Sequence, residues 1–231
     1  RRSGVRCAWP RPHHARYRGR GAVPQVHPSS HPLVHNKLAA LRSTRTGPAE
    51  FRELVRTLAT LLAAEATADL PTRPVEVQTP LGIASGRVLS DIVGIVPILR
   101  AGLGMAEGVL DLIPEAEVWH IGLYRDEVTL RPQEYYNKLP ARCRITVALL
   151  VDPMLATGGS AVRACQVIRA TGIQRIKVIA LLAAPEGLTV MEQAMPDVPI
   201  HVGVIDERLT DVGFIYPGLG DAGDRQFGTG A

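Results

Sequence analysis

Val147-Ala-Leu-Leu-Val151-Asp152-Pro153-Met154-Leu155-Ala156-Thr157-Gly158-Gly159-Ser160-Ala-Val-Arg163 is the most informative stretch of this 231-residue chain. Five apolar residues, an acid, a Gly-rich turn and a helical run spell strand, turn and helix. A strand apolar at every position is buried on both faces, which is the mark of a parallel sheet covered by helices. Ligands of such sheets bind at the carboxyl ends of the strands, and a Gly-rich turn that opens a helix aims several unpaired N–H groups at one point. That point suits an anion. Gly158 and Gly159 allow close approach of the main chain, Thr157 and Ser160 add hydroxyls, and no lysine follows, so the turn is not a nucleotide-triphosphate P-loop.

The same alternation extends in both directions. Leu33, Leu38 and Leu41 predict a short helix, and Phe51, Leu54, Val55, Leu58, Leu61 and Leu62 predict a longer one from Gly47-Pro48 to about Asp69, closed by Pro71 and Pro74. Strands follow over 92–99, 118–123 and 145–151, with a helix over 103–113. Beyond the turn come a helix over 160–170, a strand over 176–183, a helix over 185–195 and a strand over 200–205. The predicted class is α/β: a mainly parallel sheet flanked by helices. Two segments break the rhythm. Residues 124–144, with Tyr124-Arg125-Asp-Glu and Tyr135-Tyr136-Asn137, predict an exposed hairpin flap. Residues 211–231 carry Gly213, Pro217, Gly218, Gly220, Gly223 and Gly228 and predict an irregular loop of functional character.

A second Gly-rich turn follows the 92–99 strand: Arg100-Ala-Gly102-Leu-Gly104-Met-Ala-Glu-Gly108. Its G-x-G-x-x-x-G spacing is one residue too long for a dinucleotide fingerprint, which argues against a nicotinamide dehydrogenase. Arg100 at its mouth suits a multiply charged phosphate, as does Arg125 at the end of the next strand.

Charge excludes further classes. Arg1, Arg2, Arg6, Arg11, Arg16, Arg18 and Arg20 stand in the first twenty residues without an acid; the other 211 hold 19 bases against 22 acids, a net −3. The basic character is that of a tail, so no electrostatic footprint for DNA remains. We read 1–25 as a basic extension outside the fold, with a targeting peptide as the lesser alternative, and 26–231 as one domain. No apolar run is long enough to span a membrane. Cys7, Cys143 and Cys165 are odd in number and lack C-x-x-C spacing, which favours reduced thiols in a cytoplasmic setting. His120 and His201 read as surface or strand residues.

Taken together, these residues resemble a family. The run Val151 to Ser160 resembles the phosphoribosyl-diphosphate (PRPP) motif of type I phosphoribosyltransferases, in wording close to uracil phosphoribosyltransferases. His31-Pro-Leu-Val-His-Asn-Lys-Leu38, Glu65-Ala-Thr67, Pro97 to Met105, Ala183-Ala-Pro-Glu-Gly187 and Pro217-Gly-Leu-Gly-Asp-Ala-Gly-Asp224 resemble the same family, in its order, from about Val26 to Thr229.

The resemblance implies that Asp152 holds the ribose and that the turn Ala156 to Ser160, with Pro153, Met154 and Leu155 leading into it, holds the 5′-phosphate. Arg100 and Arg125 would contact the diphosphate, making Asp152, Arg100 and Arg125 the catalytic set. Mg²⁺ accompanies PRPP, with Asp221 nearby and water completing its shell. Ile215, Gly220 and Ala222 would offer main-chain groups to uracil, and Asp221 would face both substrates. The implied reaction is uracil + PRPP → UMP + diphosphate, a step of pyrimidine salvage. Some relatives respond to a purine nucleotide such as GTP, and some related proteins are regulatory RNA binders, the alternative from another class. Exposed strand edges and the helical N-terminus predict a homodimer or higher homo-oligomer. Four positions depart from the family: Ala64 and Phe214 stand where tyrosine is usual, Thr210 where asparagine is common, and Arg208 where glycine is common. If the last requires a positive φ, Arg208 costs about 1 kcal/mol or shifts its loop.

Overall fold

The computed structural model describes residues 25–125, 132–140 and 143–229, with backbone alone at 124, 125 and 132. The basic stretch 1–24 lies outside the described residues. So do 126–131, the centre of the expected flap.

Chain order begins with β1 (Val26–Pro28), α1 (Pro32–Arg42) and α2 (Pro48–Ala66). His31 caps α1, its Nδ1 accepting from the Leu33 N–H at 3.1 Å, and Pro32 and Pro48 sit in the first turns, where a missing N–H costs nothing. Of the residues read in the sequence, Leu38 and Leu41 on α1 and Phe51, Leu54, Val55, Leu58 and Leu62 on α2 form the buried stripes and Leu61 is partly buried, whereas Leu33 is exposed and Val34 takes its place in the core.

Next come β2 (Thr72–Gln78) and β3 (Ile83–Leu89), an antiparallel hairpin that joins no other strand. The sequence reading took Pro71 and Pro74 only as the end of α2 and missed it. The signal was the alternation Val75-Glu-Val77 before Thr79, whose hydroxyl and N–H both bond the Gly82 carbonyl across the turn.

The sheet follows, with β4 (Val93–Leu99), α3 (Leu103–Leu112), β5 (Glu117–Val118), β6 (Ile121–Arg125), β7 (Pro132–Asn137), β8 (Val147–Val151), β9 (Met154–Leu155), α4 (Gly159–Ala170), β10 (Arg175–Ala183), α5 (Pro185–Ala194) and β11 (Ile200–Ile205). Its order is β1-β11-β10-β8-β4-β6-β7, with β5 also on β4 and β9 on β10. Every pairing is parallel except β6 with β7, the hairpin expected within 124–144. The single strand expected over 118–123 is two. Ile95 O accepts from Trp119 N at 2.9 Å, so the next amide on that side of β4 belongs to Pro97, which has none to donate. The register is unchanged across the gap, Ile95 facing Val118 and Ile98 facing Ile121.

β8 shows why a continuous apolar run was decisive. Val147, Leu149 and Val151 pack with α1, α2 and α3 on one face, together with Phe51, Leu58, Leu62 and Met105; Ala148 and Leu150 pack with Cys165, Ile168 and Met191 of α4 and α5 on the other. His201 lies on β11 with its ring stacked on His27 of β1, centroids 4.8 Å apart. Among the described residues, no helix is long and apolar enough to cross a membrane.

The chain ends with β12 (Arg208–Leu209), β13 (Ile215–Tyr216) and α6 (Ala222–Phe227). This corrects the expectation that the glycines prevent regular structure after 211. They flank short elements instead: the Asp221 carboxylate caps α6 by accepting from the Asp224 N–H at 2.9 Å, and Gly228 closes it in the left-handed conformation. Arg208 lies in a strand paired with Tyr216, its guanidinium 4.8 Å from that ring's centre, so no positive φ is asked of it and the expected strain is absent.

Candidate functional site

The carboxyl ends of β4 and β8 open on an irregular cavity of about 260 Å³. One wall is the stretch after β8. Asp152 N–H donates to Ile179 O at 3.2 Å, and the Pro153 carbonyl accepts from the N–H groups of Leu181 and Leu182 at 3.1 and 3.0 Å, so the turn is tied to β10 before α4 begins. Asp152, Met154, Leu155, Ala156, Thr157, Gly158 and Ser160 face the cavity. Gly158 is the N-cap of α4 at φ 80°, a conformation glycine adopts freely, and no side chain caps the helix, so its first-turn N–H groups are left for a ligand. Pro153 and Gly159, also expected at the site, do not line the cavity: Pro153 is buried and Gly159 opens the helix.

The opposite wall comes from the chain's end. Phe214, Ile215, Gly220, Asp221 and Ala222 line the same cavity, more than fifty positions from Ser160 in sequence. The expected phosphate turn and the expected base loop thus face one another. Ala101, beside Arg100, also lines it.

Asp152 carries the strongest electrostatic signature. Burial, reinforced by the nearby Asp221 carboxylate, pushes its pKa up to about 7, against the Met154 N–H, which bonds Oδ1 at 3.4 Å and pulls the other way. Two neighbouring carboxylates are a donor set suited to a cation, and a carboxylate such as Asp152 with a strongly shifted pKa in a cleft marks functional chemistry.

The arginines are placed differently. Arg100 follows β4, but its guanidinium turns to α6, with Nη2 3.5 Å from Asp224 Oδ1 and its carbon 5.8 Å from the centre of the Phe227 ring. The side chain is 58% exposed, so neither contact confines it. Arg125 ends β6, its backbone opposite Pro132; its side chain is outside the described residues. The β7 strand is fastened to α4, the helix that follows the 152–158 turn, by Arg163 and Glu134 at 3.0 Å.

Several residues that shape the site were not singled out in the sequence. Arg42, Asp206 and Arg225 bind the main chain of the loop at 218–219, and Gln226 Nε2 donates to Ala101 O at 3.4 Å, joining α6 to the turn that follows Arg100. None lies in a glycine motif, and each acts through a partner remote in sequence. A second hollow of about 360 Å³ also touches Gly220 and Asp221 and is lined by Thr46, Pro48, Asp224 and Arg225.

Comparison with known proteins agrees with this architecture. The family model described as uracil phosphoribosyltransferase matches residues 28–229. A uracil phosphoribosyltransferase of Roseiflexus castenholzii is 54% identical over 206 residues, 89% of this chain and 99% of that protein. One from Dictyoglomus thermophilum is 55% identical over 200 residues, covering 86% and 97%. The structure of the AQ2163 protein from Aquifex aeolicus superposes with a TM-score of 0.83 at 38% identity, covering 87% of this chain and 97% of that one. Adenine phosphoribosyltransferase from Leishmania donovani, 14% identical with a TM-score of 0.52 over 82% and 87% of the chains, shares the fold. These names are those of enzymes, and they give the regulatory RNA-binding alternative no support. A family match over nearly all the described chain, together with relatives that agree along their full length, identifies the protein as a member of the uracil phosphoribosyltransferase family, an enzyme of the glycosyl-transferring class with the type I phosphoribosyltransferase fold.

Proposed function

We propose that the protein joins uracil to PRPP, giving UMP and diphosphate, in the cavity between the 152–160 turn and the 213–223 loop. The observation that carries this reading is that one cavity is lined both by an uncapped helix N-terminus with its acid and by a glycine-rich loop with main-chain groups to offer. The first suits a ribose 5-phosphate, the second a planar base.

In the reaction N1 of uracil bonds to C1′ of the ribose from the face opposite the diphosphate. The C1′–O bond breaks with its electron pair going to diphosphate, N1 gives up its proton to the departing diphosphate, and C1′ inverts. Positive charge gathers on the ribose as the bond breaks, so Asp152, accepting from the ribose hydroxyls, stabilises the oxocarbenium-like transition state. The amides and hydroxyls of Ala156 to Ser160 hold the 5′-phosphate and fix the sugar's position. Arg100, exposed beside the cavity-lining Ala101, and Arg125 neutralise the departing diphosphate. Ile215, Gly220 and Ala222 present main-chain groups to the base, with Asp221 between the substrates. Such a site works by alignment and electrostatics and needs no covalent nucleophile.

Mg²⁺ fits this donor set. Asp152 and Asp221 would be its protein neighbours; when bound to PRPP it supplies charge neutralisation on the diphosphate, and oxygen ligands with several waters are its usual shell.

The direct test is formation of labelled UMP and diphosphate from uracil, PRPP and Mg²⁺, with cytosine as control. No UMP under these conditions refutes the proposal. The same assay with and without GTP examines the effector known among relatives. Arg100→Ala is expected to lower kcat/KM for PRPP about a hundredfold, the loss typical of one donor to developing charge. Its melting temperature should stay that of the native protein, because the side chain is exposed and weakly paired.

We also propose a homo-oligomer built on the β2–β3 hairpin. An isolated two-stranded hairpin is marginal in water. This one exposes Leu81 fully, Ile83 by 71% and Val77 by 45%, and a second copy of the chain is the partner always at hand. Leu81→Asp with Ile83→Asp is expected to reduce the sedimentation mass to that of a monomer; an unchanged mass would place the interface elsewhere.

A further inference from the structure

The base loop is anchored in the core by Ile215, Leu219 and Ala222, but between these anchors Gly220 and Asp221 stand exposed. Gly220 and Asp221 border both hollows. Gly218 and Gly220 have φ of +59° and +80°, in a region where glycine peptides rotate at little steric cost. Rotation matters here because of what the loop reads. Uracil presents a donor at N3 and an acceptor at O4, whereas cytosine presents an acceptor and a donor. A loop that recognises the base by its own N–H and C=O groups changes preference if a peptide flips.

We infer that Arg42 and Asp206 set the selectivity for uracil over cytosine, by locking the Gly218 peptide groups and with them the orientation of the loop that follows. This rests on the proposed role of residues 215–222. Arg42, the last residue of α1, meets Asp206 through both guanidinium nitrogens, Nη2 to Oδ1 at 2.5 Å and Nη1 to Oδ2 at 2.9 Å. The same two side chains hold Gly218 from both ends: Arg42 Nη1 donates to its carbonyl at 2.7 Å, and its N–H donates to Asp206 Oδ2 at 3.0 Å. Asp206 is 6% exposed in its side chain and stands just past β11, where its N–H donates to Ala183 O at 2.8 Å; the anchor is therefore the sheet itself. A flip of either peptide flanking Gly218 would break a hydrogen bond to a charged group in a half-buried place, and such bonds are roughly twice as strong as neutral ones. Arg225 secures the next carbonyl, Leu219 O, at 2.9 Å while also donating to Ser43 O at 2.6 Å. Arg42 and Asp206 reach the base only through the main chain, so they are positioning residues.

The test uses the full-length enzyme with Asp206→Asn and, as a second variant that keeps the cation but loses the fork, Arg42→Lys. Uracil KM, PRPP KM, kcat and inhibition by cytosine are measured in each. We expect uracil KM to rise at least tenfold, PRPP KM and kcat to stay within threefold, and the ratio of uracil KM to cytosine inhibition constant to narrow at least tenfold. These ratios do not depend on the fraction of folded enzyme. A fall in kcat alone, with that ratio unchanged in both variants, would show a merely structural pair and overturn the inference. Gly220→Ala separates this from failure of the base-loop reading, since Gly220 at φ +80° disfavours a side chain. If Gly220→Ala raises uracil KM and the other variants leave selectivity alone, only the Arg42–Asp206 inference falls. If all three leave uracil KM unchanged, the base loop itself is misassigned.

Discussion

The Asp152→Asn protein is expected to turn over about a thousandfold more slowly than the native chain and yet to melt at a higher temperature at pH 8. Both effects come from the same carboxylate. Burial and the Asp221 charge raise its pKa to about 7 in the fold, from about 3.8 in a free chain. A carboxyl whose pKa is raised by folding costs nothing below pH 4, where it is protonated in both states. The cost grows as pH rises from about 4 to 7 and is complete above that. A shift of this size is worth about 4 kcal/mol at 1.36 kcal/mol per unit, and the partial exposure of Asp152 at the cavity lowers it to roughly 2 kcal/mol by solvent screening. Asparagine has nothing to ionise. The difference in melting temperature between the two proteins should therefore be near zero at pH 4 and reach roughly 4–8 °C at pH 8, by the usual conversion for a domain of this size. Adding PRPP with Mg²⁺ should reverse the order, because ribose hydroxyls and the cation favour the charged form in the native site. The catalytic loss follows from charge: the negative group next to the ribose is worth about 4 kcal/mol to the transition state if its removal costs three decades. Thermal melts from pH 4 to 8.5 decide the point. A difference independent of pH would mean that Asp152 is not held in a desolvated place, and native turnover in the variant would remove it from the mechanism.

Such strain at a working residue was only partly legible in the sequence. That an acid follows a strand buried on both faces could be read directly, because five consecutive apolar residues leave no solvent face. The same reasoning gave β4, β10 and the α2 stripe. The proximity of Asp221, which raises the Asp152 pKa, depends on the chain's end returning across the sheet, and periodicity carries no such information. The β2–β3 hairpin escaped because its strands face solvent on both sides, and a strand without a buried face has only weak alternation. The break between β5 and β6 comes from one missing N–H at Pro97 on the neighbouring strand, so it is written in a segment other than the one it interrupts. The bond between Arg42 and Asp206 spans 164 positions. Local signals specify elements; the pairing of remote charged groups is specified only once those elements are packed.

Gly187 shows how far the phosphate turn depends on such packing, and Gly187→Ala is expected to abolish measurable PRPP binding although the residue does not line the cavity. Gly187 lies in the first turn of α5, where a Cβ would stand 2.3 Å from Ala156 O and 2.9 Å from Leu155 O. Contact runs the other way as well, since a Cβ on Gly158 would come within 2.6 Å of Gly187 O. Two backbone segments are thus pressed together with no side chain between them, and main-chain oxygens that belong to β9 and the helix entrance cannot step aside. Relief requires about 1 Å of movement, which drives residues 155–158 towards the cavity and turns the α4 amides away from the 5′-phosphate. A displacement of that size in a positioned substrate is worth about a hundredfold by itself. Loss of the phosphate contacts should add at least another tenfold, so kcat/KM for PRPP falls by more than a thousandfold. Overpacking of this kind costs about 1–3 kcal/mol in stability, a drop of several degrees in melting temperature but not the loss of a cooperative transition. Calorimetric titration with ribose 5-phosphate isolates the phosphate contact from the chemistry. Binding in Gly187→Ala equal to that of the native protein would mean that the 156–160 turn does not hold the 5′-phosphate, since a turn so displaced could not keep its geometry.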